Sequence, residues 1–183
     1  MIDFSAHFPL RNTRTHEVRG PGALFFSFVL GGQIDGTVLW VEEAWRAEQI
    51  NPTGFAPYLD PKNLFFAKAK NQQNVLAVAE EALRSGAVSL VVMESNAPIS
   101  LTEGRRLQLA AEVGRATGLC IIPEGKGSNA AETRWRCAPV FDVKDSTLQR
   151  WTLIKNKSGT LGAWDVKWDA EAGRIIVVSK AAQ

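Results

Sequence analysis

Only two of the 183 residues are cysteine, two are histidine, two methionine and one tyrosine, and each scarcity closes a route to function. Cys120 and Cys137 stand in apolar, strand-like surroundings with no CxxC or Cys/His spacing for a metal, so they read as reduced thiols of a cytosolic protein. His7 and His16 both lie near the N-terminus without an acidic or cysteine partner at ligand spacing. That leaves a metal centre or a Ser/His/Asp triad without support, and each reads as an ordinary surface histidine. No apolar run nears the roughly 20 residues needed to cross a bilayer, and MIDFSAHFPLRNTR lacks a basic stretch followed by an apolar one. Neither membrane insertion nor secretion is expected. A last absence concerns phosphate. HEVRGPGALFF, His16 to Phe26, runs from a β-like stretch through Gly-Pro-Gly into an apolar segment, yet no Gly-Lys-Ser or Gly-Lys-Thr follows.

What is present suits one compact domain. Hydrophobic residues make up 45% of the chain, enough to bury a core without staples, and a net charge of +2 marks neither a disordered chain nor a strongly basic one. The stretch 1–15 lacks a period and is expected to be an irregular arm; 16–183 reads as a single α/β domain. Ala23 to Leu30 (ALFFSFVL) is apolar all round, which suits a helix buried on every side, stopped by Gly31-Gly32. Thr37 to Val41, Leu64 to Ala67, Ser89 to Met93 and Leu119 to Ile122 are short buried runs and read as strands. Asn71 to Ser85 is an amphipathic helix with Glu80 and Arg84 paired at i,i+4. Ser100-Leu101-Thr102-Glu103 is a capping box opening another helix, which Gly118 closes. Strand and helix alternation of this kind predicts a mainly parallel central sheet with right-handed crossovers. From Thr133 on, TRWRCAPVFDV, QRWTLIKNK, AWDVKW and RIIVVS read as successive strands, an antiparallel C-terminal extension.

Three constellations bear on chemistry. The turn Gly20, Pro21, Gly22 supplies the glycines and the helix of a phosphate loop, but no lysine for the β and γ phosphates and no hydroxyl for magnesium. It reads as a vestigial turn filled by Leu24, Phe25 and Phe26 of its own helix, with no cofactor. Glu42, Glu43 and Glu94 fall at strand C-terminal ends, where a parallel sheet faces its ligand crevice. Without phosphate partners they read as solvated carboxylates; in an ATPase, Glu43 would orient the attacking water and Glu94 would hold magnesium. Between Lys126 and Trp168, finally, eight lysines and arginines face four acids, and four tryptophans share the segment. Cations interleaved with aromatics suit single-stranded nucleic acid or a protein interface; strand alternation could equally put the tryptophans in the core and leave the cations solvated.

The order of GTVLWVEEAW, LDPKNLFF, EEALRSGAVSLVVMES and RWTLIKNK resembles the core of RecA-type recombinases. ALRSGAVSLVVMES is similar to the helix and second-motif strand, with Glu94 at the metal-side acidic position. Glu43, or Glu42 in the alternative register, falls near the catalytic glutamate, and Lys155-Asn156-Lys157 matches the Lys-Asn-Lys turn that reaches ATP across the recombinase filament. The runs LTEGRRLQLAAEVGRATGL and NAAETRWR further resemble the ImuA family, RecA-like accessory proteins of bacterial damage-induced mutagenesis, in a broader group that includes SulA. The resemblance spans roughly residues 20–168. It implies a RecA-like core and a cytoplasmic partner of an ImuB-like protein and an error-prone polymerase. The absent Gly-Lys-Thr departs from the recombinase pattern and points to an adaptor without ATP turnover. RecA itself and DNA are further expected contacts, and Arg134, Trp135, Arg136, Trp151, Lys155 and Lys157 the expected contact region. The alternatives are a DNA-dependent ATPase with an atypical phosphate loop and a SulA-type inhibitor of the division protein FtsZ.

Overall fold

A computed structural model describes residues 3–180. The strands β1 (Thr15–Arg19), β2 (Val38–Glu43), β3 (Leu64–Ala69), β4 (Leu90–Glu94), β5 (Thr117–Ile121), β6 (Thr133–Pro139), β7 (Gln149–Asn156), β8 (Gly162–Asp169) and β9 (Arg174–Lys180) form one sheet in the order β3-β2-β4-β5-β1-β6-β7-β8-β9. The helices are α1 (Ala23–Gln33), a single turn α2 (Pro52–Phe55), α3 (Gln72–Ser85) and α4 (Leu101–Gly114). The α/β class and the mixed sheet match the expectation. The switch of direction comes later than expected: β6 pairs parallel to β1, with Val18 opposite Trp135, and antiparallel pairing begins only between β6 and β7. Among the described residues no helix is long and apolar enough to cross a membrane.

Two cores lie on the two faces of the sheet. On one, α3 and α4 bury Leu76, Ala79, Leu83, Leu107 and Ala111 against Val41, Val91, Met93 and Cys120. The predicted capping box forms, Ser100 and Glu103 each bonding the other's backbone amide, and Asn71 caps α3. α4 ends on Arg115 in the left-handed region rather than at Gly118, which lies inside β5. On the other face, α1 buries Phe26, Phe28, Val29 and Leu30 against Trp40, Trp135, Trp151 and Trp164. Gly31 and Gly32 do not stop α1; they sit within it, because the Tyr58–Leu59 backbone crosses there and a Cβ on Gly32 would overlap the Tyr58 carbonyl oxygen.

The described part of the N-terminal segment holds one 3-10 turn, Phe4–Ala6, ahead of β1, and it is part of this core rather than an arm apart from the domain. Phe8 and Leu10 are buried. The Phe8 ring lies 5.1 Å from Trp151 and 5.4 Å from Phe26, and Phe4 lies 5.5 Å from Trp164. Aromatic rings at these separations add edge-to-face attraction to the area they bury.

Candidate functional site

The C-terminal ends of β1, β2 and β4 define the edge at which a parallel sheet would present chemistry. At the end of β1, Gly20 takes a φ of +93°, a conformation that glycine alone adopts cheaply, and a Cβ at this position would lie only 2.5 Å from the Cys137 carbonyl oxygen. β6 runs past the end of β1, so Cys137 faces the turn. The Gly22 amide donates to the Cys137 carbonyl at 2.9 Å, and the Ala23 amide donates to Gly20 at 3.0 Å. Gln149 fills the remaining space over Gly22, its carbonyl held by the Trp151 indole N–H at 3.0 Å. The turn is covered by β6 and Gln149, not by Leu24, Phe25 and Phe26 of its own helix as expected. Leu24 points away and is exposed, and Phe26 enters the core beneath.

The carboxylates at the ends of β2 and β4 are buried rather than solvated. Alternation along β2 sends Glu42 and Glu43 to opposite faces. Glu42 meets the Lys68 ammonium at 3.4 Å from the neighbouring strand β3. Glu43 accepts from the Asn96 side-chain amide, and Glu94 accepts from the Trp40 indole at 2.8 Å and from Arg46. Arg46 also donates to Asn96 at 2.6 Å, so one guanidinium ties the two strand ends together. Glu42 and Glu94 border a cleft of about 470 Å³ whose other walls include Leu24, Phe28, Ile50 and Phe55. Among the described residues no cluster of His, Cys, Asp and Glu suits a metal ion. Glu42 and Glu94 each have a counter-charge and Glu43 has an amide, so every carboxylate of the set is already partnered, while the buried Arg46 Nε is left without a hydrogen-bond acceptor.

The basic C-terminal segment divides by strand alternation. Trp135, Trp151, Trp164, Cys137, Leu153 and Val166 point inward and are buried, which removes Trp135 and Trp151 from the expected contact surface. Two of the indole N–H groups are met inside, Trp135 by the Thr133 hydroxyl at 3.1 Å and Trp151 by the Gln149 side-chain carbonyl at 3.0 Å. The cations point outward, yet most are matched. Arg134 donates to the buried Glu17 at 2.6 Å and to the Ser128 carbonyl at 3.0 Å, while Glu17 also accepts the Ser128 amide at 2.8 Å. Lys155 donates to the Ala131 carbonyl; partial burial, with Lys157 and Arg134 nearby, lowers its pKa. Arg136 lies 3.8 Å from Glu124, Arg150 forks onto Asp165 at 2.8 and 2.9 Å, and Lys157 lies 3.9 Å from Glu132. Of the expected contact residues, Arg136 and Lys157 remain exposed, and Lys155 and Arg134 are partly covered. Three of the four tryptophans are therefore withdrawn from any surface ribbon on which bases could stack, and Trp168, partly buried, packs its ring on Tyr58 at 5.1 Å.

His16, expected at the surface, is fully buried. Its Nδ1 lies 2.7 Å from the Thr133 hydroxyl and its Nε2 2.8 Å from the Arg11 carbonyl, and burial lowers its pKa to about 4. Gln149 over Gly22, Glu17 with Ser128 and Arg134, and His16 with Thr133 carry much of the local architecture, and in each case the two sides are more than a hundred residues apart, beyond the reach of local pattern.

Comparison of the chain with protein-family models and with curated proteins returns no match.

Proposed function

We propose that the chain is a non-catalytic adaptor of damage-induced translesion DNA synthesis, built on a RecA-like core and acting in the cytoplasm with an ImuB-like protein and an error-prone polymerase. The observation that carries the non-catalytic part is the closed β1–α1 turn. A triphosphate needs free backbone amides and open space at that helix N-terminus, whereas the Gly22 amide is bonded to Cys137 and Gln149 fills the gap. The carboxylates that an ATPase would use are supported as structural by their pairing, Glu94 to Arg46 and Trp40 and Glu43 to Asn96. The choice of pathway rests on the sequence runs that resemble ImuA, and the sheet order, with the Gly20 turn and both acidic strand ends along one edge, is compatible with a RecA-like core.

Two measurements test it. Millimolar Mg-ATP is expected to leave Tm unchanged; a ligand present at 100 times its Kd would add about 2.7 kcal/mol, so a rise of several degrees would revive the ATPase reading with Glu43 and Glu94. In a host cell, deletion is expected to abolish damage-induced mutagenesis, and the chain is expected to co-purify with the ImuB-like protein. Unchanged mutagenesis, or filamentous cells on overexpression, would replace the translesion role with a SulA-type one.

A further inference from the structure

Along α4 the outward positions Leu101, Arg105, Leu109 and Val113 recur every four residues. The three aliphatic side chains are 45%, 61% and 69% exposed. A helix that turns aliphatic side chains to water at this spacing carries an apolar stripe with no cover. Beside it lies a groove of about 460 Å³, walled by Leu101, Leu109 and Ala130 and bordered by Arg105 and Lys157. Its floor is fixed. The Gln108 side chain accepts the Thr15 amide at 3.1 Å and donates to the Thr15 and Ala130 carbonyls at 2.9 and 3.0 Å, joining α4 to β1 and to the loop before β6.

The charges around this groove are one-sided. Arg105 makes no ion pair among the described residues, and Lys157 has its nearest carboxylate, Glu132, at 3.9 Å. The acids of α4 are engaged elsewhere: Glu103 in the capping box and Glu112 with Arg14 at 3.6 Å. An apolar groove bordered by Arg105 without an ion pair and by an exposed Lys157 whose pair with Glu132 is long suits an occupant with apolar side chains between carboxylates. Leu101 and Leu109 are about 12 Å apart along the axis, the separation of apolar residues seven or eight positions apart on a docking helix. We infer that the α4 groove binds an acidic amphipathic helix of a partner protein, its apolar side chains entering between Leu101, Leu109 and Ala130 and its carboxylates meeting Arg105 and Lys157. Nucleic acid fits less well, because the walls offer aliphatic side chains and no aromatic platform on which bases stack. A second copy fits less well because a two-fold pairing of α4 with itself would set Arg105 against cations. The inference rests on the adaptor reading only for the partner being a protein.

The test is a displayed library of random 15-residue peptides, selected on the wild-type chain and counter-selected on the exposed-site variant Leu109→Asp. Enriched peptides are expected to place aliphatic or aromatic residues at i, i+4 and i+7 with at least two flanking carboxylates. A fluorescent copy of the consensus should lose at least tenfold in affinity to Leu109→Asp and to Arg105→Glu/Lys157→Glu, and weaken with salt. No enrichment, a basic consensus, or a consensus indifferent to these variants would overturn the inference. So would salt-sensitive oligonucleotide binding lost in Arg105→Glu/Lys157→Glu, or self-association of the wild type abolished by Leu109→Asp. Failure of the selection would leave damage-induced mutagenesis to be judged by the deletion, and an indifferent deletion would leave the groove standing.

Discussion

A cation's contribution here depends on what its partner would lose with it. Glu17 is 2% exposed, and Arg134 with the Ser128 amide supplies its counter-charge and hydrogen bonds. Replacing Arg134 by Met would strand that carboxylate inside the sheet, and breaking a buried pair from one side costs about 3 kcal/mol or more. Arg150 also forks onto a carboxylate, but Asp165 keeps 15% of its side chain exposed and a second donor in the Ser179 hydroxyl at 3.1 Å, so the loss of Arg150, itself 47% exposed, leaves it with water and Ser179. Arg150→Ala should therefore cost no more than about 1 kcal/mol. Urea midpoints of the two variants beside the wild type check the contrast. Equal losses would mean that Glu17 is hydrated once Arg134 is gone.

At the scale of the element, α1 turns on its glycines. By propensity alone Gly32→Ala should stabilise a helix by about 1 kcal/mol. The Tyr58 carbonyl oxygen occupies the space the new methyl would need, so overpacking is expected to reverse the sign and destabilise by about 1–3 kcal/mol. Thermal denaturation of Gly32→Ala decides between the two, and a raised Tm would show that the Tyr58 segment yields freely. The same conflict explains what could be read from sequence. The capping box at Ser100, the α3 stripe and the β4 run were legible, because each signal lies within a few residues of its effect. Gly31-Gly32 misled as a helix stop because the reason for those glycines is a segment crossing more than twenty residues downstream. The direction of β6 was hidden likewise, since a strand's own alternation is the same whether its neighbour runs parallel or antiparallel. At the candidate site the sequence points to Leu24, Phe25 and Phe26 as the groups over the turn, whereas the Cys137 backbone and Gln149, more than a hundred residues downstream, lie there. The inward tryptophans followed from alternation only once the sheet's covered face was known.

At the scale of the molecule, the arm, β1 and β6 meet at one buried histidine. His16 joins the Arg11 carbonyl to the Thr133 hydroxyl, and Thr133 also receives the Trp135 indole N–H. The parallel and antiparallel halves share this seam and the tryptophan core above it, so one cooperative unfolding transition is expected, with tryptophan fluorescence and far-ultraviolet dichroism coinciding. The seam also sets a pH dependence. Burial holds His16 neutral down to about pH 4, the nearby Arg11 and Arg14 acting in the same direction and Glu132 and the Arg11 carbonyl against it. The unfolded chain takes up that proton near pH 6.5. Because the folded pKa is the lower one, the unfolded state binds more protons between these values. The stabilisation is thus complete above about pH 6.5 and drains away as pH falls toward 4, by about 3 kcal/mol at pH 4. His16→Gln lacks the titration. The difference in urea midpoint between wild type and this variant should shift against the wild type from pH 7 to pH 4.5, and parallel pH profiles would show that His16 is not the group responsible.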